Sequence, residues 1–222
     1  MQRVLDIRRK LIDQFKTQNF VIDRTGVKTI ELIGESFIAD EDWIVRRPNY
    51  EYIERELQWY RSCSLSVNDI PGMVPKIWKD VASHKSEINS NYGYLIWSEE
   101  NHHQYERVVS ELICKPNSRR ATMIYNRPTM HDDCERDGMN DFICTYANQF
   151  FIRDNKLISH YIMRSNDVIF GYTADVAWAK YVHYMLARDL EIEVGDLIWT
   201  ASSLHVYERH FNHIERLIEN GF

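Results

Sequence analysis

The strongest constraint on the fold is a change in apolar spacing partway along the chain. Residues 4–18 carry Val4, Ile7, Leu11, Ile12 and Phe15 at helical spacing among charges, which predicts an amphipathic helix. Residues 20–38 read as strand, tight loop and strand around Asp23-Arg24-Thr25-Gly26. Helical spacing returns over 50–61 through Ile53, Leu57 and Tyr60, and over 99–114 through Val108, Val109, Leu112 and Ile113, stopped by Pro116. Beyond that point the two-residue period takes over. Residues 121–125 predict a strand, and 145–152 with 156–163 flank Asp154-Asn155, a two-residue hairpin signal that lacks the usual glycine. Residues 174–190 predict a largely apolar, central helix. Gly195-Asp196 is expected to turn into two further strands, 197–201 and 204–207, before a short helix over 211–218. Strands and helices do not alternate as βαβ units. The expected class is therefore α+β, a mostly antiparallel or mixed sheet flanked by helices.

At 222 residues, with no internal repeat and no linker rich in Gly, Pro or Ser, the expectation is one domain spanning 1–222. A chain of this length buries enough surface to need no metal or disulfide staple. The formal charge of −6, with both signs spread along the chain, argues against a protein that coats nucleic acid. It leaves room for a small anionic ligand, since a few clustered arginines suffice for one phosphate. No run of about 18 apolar residues suggests a membrane span, and the charged N-terminus lacks the apolar core of a signal peptide. Cys63, Cys114, Cys134 and Cys144 form no C-x-x-C pair and no zinc spacing. Reduced thiols, no metal and a cytoplasmic location are expected.

Several residues stand out chemically. Cys144, beside a strand, is by default a small buried hydrophobe, and a nucleophile only in suitable company. Arg164-Ser165 suits a phosphate, as do Arg24 in its Thr-Gly loop and the adjacent Arg119 and Arg120, although an isolated arginine pair is usually a solvated face. His205 and Tyr207, two residues apart on a strand, share one face. Glu56 lies beside a half-buried helical stripe, where a carboxylate is costly unless paired.

Taken together, Cys144, Gln149-Phe150, Arg153-Asp154, Arg164-Ser165, Asp167 and Gly171 resemble, in order and spacing, the nucleotide site of the thymidylate synthase superfamily. Glu56-Leu57-Gln58-Trp59-Tyr60 resembles that family's Glu-Leu-Leu-Trp-Phe, and Tyr92-Gly93 a family dipeptide near the catalytic centre. The resemblance implies a thymidylate synthase-like fold, dimeric through sheet faces. It implies Cys144 as a thiolate nucleophile at C6 of a pyrimidine, favoured by the neighbouring Arg164, and Glu56 as organiser of water and protons. It implies Arg24, Arg164 and Ser165 on the phosphate, joined by Arg119 and Arg120 from the partner subunit, and His205 with Tyr207 on the sugar. Trp78, Asp167, Phe170 and Gly171 match positions that contact the folate, with 5,10-methylenetetrahydrofolate as co-substrate.

One position departs from the family in a chemically decisive way. Gly171-Tyr172-Thr173-Ala174-Asp175 stands where the family has Gly-Leu-Pro-Phe-Asn, so the amide that reads uracil is an acid. Cytosine presents an N3 acceptor and an N4 amino donor, and a carboxyl group answers both with one oxygen accepting and a proton shared with N3. Facing uracil O4, the same group opposes two acceptors, at about 1–3 kcal/mol. Thr145 replaces the His that usually follows the Cys, and Met163 the Gln before Arg-Ser. The chain also stops at Phe222, soon after His-x-Tyr, where thymidylate synthases continue to a closing segment. A different closure is expected to admit water to the one-carbon intermediate and give hydroxymethyl rather than methyl. Val21 to Phe37, Glu87 to Gly93, Met163 to Val168 and Ser203 to Tyr207 further resemble the deoxycytidylate hydroxymethylase branch of the superfamily, known from bacteriophages. That branch implies dCMP as substrate, a cytosine nucleotide made for DNA in an infected bacterium, and contacts with other enzymes of nucleotide biosynthesis. Two alternatives stay open: action on dUMP or CMP within the same fold, and a non-catalytic nucleotide-binding subunit.

Overall fold

The computed structural model describes residues 1–221. Phe222, on which the expectation about closure turned, lies outside the described residues. The strands are β1 (Gln2–Arg3), β2 (Val21–Ile22), β3 (Lys28–Ile38), β4 (Thr122–Ile124), β5 (Thr145–Arg153), β6 (Lys156–Met163), β7 (Asn166–Asp167) and β8 (Glu193–Tyr207). The helices are α1 (Val4–Lys16), α2 (Tyr50–Ser62), α3 (Lys76–Val81), α4 (Tyr92–Trp97), α5 (Gln104–Cys114), α6 (Met130–Asp133), α7 (Gly171–Asp189) and α8 (Phe211–Asn220). The strands form one mixed sheet in the order β1-β3-β8-β6-β5-β4, with β2 added to β3 and β7 to β8. β8 is its spine, antiparallel to β3 and parallel to β6 and β7.

The expected α+β architecture is what the chain adopts, and most elements lie where spacing placed them. Asp154 and Asn155 turn the β5–β6 hairpin with both φ angles positive, 51° and 58°, so the pair supplies the left-handed turn without a glycine. Two expectations need correction. Gly195 makes no turn, and β8 runs unbroken for 15 residues. The glycine is there because a Cβ would come within 2.8 Å of the Leu157 carbonyl oxygen on β6. The helix expected over 99–114 begins at Gln104, because His102 and His103 take left-handed conformations that helical backbone excludes.

The core lies between one sheet face and the helices. Tyr161 stacks on Trp199 across β6 and β8, and Trp178 of α7 packs on Tyr60 of α2 and Trp97 of α4. These helices close to contact distance only because position 93 is glycine: a Cβ there would sit 1.8 Å from the Tyr60 carbonyl oxygen. No helix among the described residues is long and apolar enough to cross a membrane.

Candidate active site

Cys144 sits at the start of β5, half-buried, where the hairpin brings it opposite Arg164 at the end of β6. The Arg164 N–H donates to the Cys144 carbonyl at 2.8 Å. The guanidinium then folds back, donating from Nε to the Ile143 carbonyl (3.0 Å) and from Nη2 to the Phe142 carbonyl (2.6 Å), with Nη2 3.6 Å from Cys144 Sγ. Arg164 also lies over the Phe142 ring at 4.7 Å. The expected pairing of Arg164 with Cys144 is present, and burial acts against it. Arg164 does favour the thiolate, but burial, with the acids Asp175 and Asp141 nearby, pushes the thiol up to about 11.

Asp175, in the first turns of α7, projects to the same place. Burial, compounded by the Glu56 charge, raises its carboxyl well above the usual range, although hydrogen bonds from Tyr92 and Asn166 pull the other way. Asn166 Nδ2 donates to Asp175 Oδ2 at 2.8 Å. Thr145 Oγ1 donates to the Tyr92 hydroxyl at 3.0 Å and lies 3.1 Å from the Tyr161 hydroxyl. Thr145 has one proton to give, so Tyr161 supplies the other bond and leaves Tyr92 free to donate to the acid. The chain Tyr161, Thr145, Tyr92, Asp175 thus runs from the core to the site.

Glu56 faces Asp175 from α2. Asn49 caps that helix by accepting from the Tyr52 N–H, which sets Tyr52 and Glu56 one turn apart on one face. Tyr52 donates its hydroxyl to Glu56 Oε1 at 2.5 Å, and the Trp78 indole N–H lies 3.1 Å from the same oxygen and 2.9 Å from the Tyr52 hydroxyl. Burial nevertheless pushes Glu56 up to about 7. Trp78, expected on the folate, is thus also what holds Glu56.

His205 and Tyr207 do share a face of β8, their rings meeting edge-on at 4.9 Å. Burial lowers the His205 imidazole, keeping it neutral, and raises the Tyr207 phenol, which also feels Asp167, Asp23 and Cys144. β7 lays Asp167 beside His205. The Asp167 carboxylate accepts the N–H groups of Ile169 (3.1 Å) and Phe170 (3.2 Å), and so shapes the turn into α7. Phe170 stays 47% exposed, with Arg46 4.6 Å above its ring, and Gly171 keeps the space beside Asn166 and Asp175 clear.

Ser165 is half-buried in the short link between β6 and β7. Arg24 is exposed in the β2–β3 loop, which Asp23 ties down by accepting from the N–H groups of Thr25 and Val27. Arg119 and Arg120 lie elsewhere, exposed before β4 at the far edge of the sheet, and no contact joins them to Cys144 or Asp175 among the described residues. Sequence reasoning missed Asn166, Tyr52 and Tyr161 as parts of the site. Asn166 follows Arg-Ser directly, and a polar residue flanked by site positions was the one available signal. Tyr52 lies one helical turn before Glu56.

What converges here is a thiol, the buried acid Glu56, the half-buried acid Asp175 and a neutral His–Tyr pair, with cations on the flanking loops. The family model for thymidylate synthase matches residues 5–221. The deoxycytidylate 5-hydroxymethyltransferases of Enterobacteria phages T4, T6 and T2 are each 52% identical over 225 residues, covering 98% of this chain and 92% of theirs. With the family match spanning nearly the whole sequence, the chain belongs to the thymidylate synthase family.

Proposed function

We propose that this protein is a deoxycytidylate 5-hydroxymethyltransferase, converting dCMP, 5,10-methylenetetrahydrofolate and water into 5-hydroxymethyl-dCMP and tetrahydrofolate. The observation that carries the reading is a carboxyl, Asp175, held beside Cys144 at the position where an amide would suit uracil. Its raised protonation range suits a neutral acid that donates to cytosine N3 and accepts from N4.

Cys144 adds to C6, and the electron pair moved onto C5 makes that carbon nucleophilic. The folate supplies the one-carbon unit. The half-exposed Phe170 ring, with Asp167 and Gly171 beside it, offers a flat surface that fits a heteroaromatic group, and Trp78, Asp167 and Gly171 are the further residues proposed to contact the folate. The thiol rests protonated, so substrate binding has to assist its ionisation. Glu56, titrating near 7, is poised both to take and to give a proton. Arg24, Arg164 and Ser165 hold the phosphate, and His205 and Tyr207 hold the sugar hydroxyl. Arg119 and Arg120 reach the phosphate of the partner subunit, which accounts for their distance from the site in one chain. The dimer forms through the outer sheet face, and the protein works with reduced thiols in the bacterial cytoplasm, alongside other enzymes of nucleotide biosynthesis.

The test is to incubate the protein with methylenetetrahydrofolate and equal dCMP and dUMP, then identify products by mass. Hydroxymethyl-dCMP with tetrahydrofolate is expected. Methyl-dUMP with dihydrofolate would overturn the reading of Asp175. Nucleotide binding without any product, unchanged in Cys144→Ser, would mean a non-catalytic subunit.

A further inference from the structure

A carboxylic acid that reads cytosine has to present its two oxygens differently, one as acceptor to N4 and one as donor to N3. Nothing within the acid itself decides which oxygen carries the proton. The neighbouring Asn166 supplies an asymmetry. Its side chain is almost wholly buried, 2% exposed, and its backbone is locked by the pairing of β7 with Leu204 of β8. Nδ2 donates to Asp175 Oδ2 at 2.8 Å, and Oδ1 is buried with no hydrogen-bond partner. An orphaned acceptor is a cost that a small apolar residue at this position avoids. What the amide adds in return is its N–H.

We propose that Asn166 is a specificity-determining positioning residue: by donating to Oδ2 of Asp175 it makes that oxygen the acceptor and directs the proton to Oδ1. A hydroxyl oxygen accepts more weakly than a carbonyl oxygen, so an N–H fixed on Oδ2 disfavours protonation there. The acid is then set, before the base arrives, as an acceptor for N4 and a donor for N3. This rests on the reading of Asp175 as the group that recognises the base.

The experiment compares kcat/KM for dCMP and dUMP in the full-length protein and in Asn166→Ala, Asn166→Asp, Asp175→Asn and the Asn166→Ala/Asp175→Asn double variant. Asn166→Asp keeps the side-chain volume and replaces the fixed N–H donor by a second carboxyl that shares a proton with Asp175, so it carries the test if the alanine variant folds poorly. Both single Asn166 variants are expected to lower the dCMP-to-dUMP ratio on the order of tenfold, the size of one lost hydrogen bond to a charged or acidic group. In the Asp175→Asn background the Asn166→Ala change is expected to move the ratio by less than about twofold, since coupled residues do not act additively. An unchanged ratio in both single variants, or an equal fall in the double variant, overturns the role of Asn166. A ratio unmoved by Asp175→Asn itself would instead remove the underlying reading of that acid.

Discussion

Two acids that feel each other's charge, Glu56 and Asp175, set the residue-scale behaviour of this protein. Glu56 titrates near 7 in the folded chain against 4.5 as its ordinary value, because burial disfavours its charge. The folded state therefore holds a proton that the unfolded chain has released between these values, and stability falls as pH rises through that window. The full effect is on the order of 3 kcal/mol. Glu56→Gln keeps an acceptor for Tyr52 and Trp78 without the charge. Its stability relative to the parent is expected to rise from pH 5 to pH 8 while turnover falls, and thermal melts across that range check the sign. Cys144 gives a second expectation. With its thiol pushed up to about 11, alkylation at neutral pH should be slower than at an ordinary cysteine, and should accelerate as pH rises towards 11. Peptide-resolved mass spectrometry against Cys114, which is exposed, measures the contrast. At this scale the sequence offered candidate residues but not their titration, which depends on burial and on neighbours far apart in the chain.

Among the elements, helices with long apolar stripes were legible, and two glycines were not. α1 and α2 follow from spacing alone, since three or more turns repeat the pattern. α3 and α4, six residues each, are too short to show a period. Gly93 looks ordinary in sequence, yet it sets the approach of α4 to α2 and so the placement of Tyr92 over Asp175. Gly93→Ala forces the Tyr60 carbonyl aside, and a loss of about 3 kcal/mol, read by denaturant unfolding, is expected. An unchanged midpoint would mean that α4 can shift without cost. Gly195 was misread because a glycine before an aspartate signals a turn locally, whereas the actual constraint is the β6 backbone opposite.

Over the whole molecule, one sheet face carries the core and the other presents Ser36, His160, Ile162, Ile198 and Thr200 half-buried and joined across strands. His160 bonds Thr200 at 2.9 Å, and Thr200 donates to Ser36 at 3.0 Å. A face so poor in charge suits the proposed dimer. Ile162→Asp is expected to yield monomers by sedimentation and to abolish turnover if, as proposed, each site takes arginines from the partner. Mixing inactive Arg119→Ala/Arg120→Ala and inactive Cys144→Ser proteins, with subunit exchange, should restore part of the activity through one complete site. Absence of recovery despite exchange would exclude shared sites.

Sequence alone determined the longer helices, the hairpin and the α+β class, and it singled out the candidate reacting groups, since periodicity and residue chemistry are local properties. The acid at position 175 was visible without any coordinates. Only the tertiary structure decided that β8 runs unbroken beside β6, that Trp78 and Tyr52 hold Glu56, and that Asn166 grips Asp175. Each of these is a contact between segments distant in sequence or turned by a bend. Burial there shifts proton affinities by amounts that no local pattern encodes.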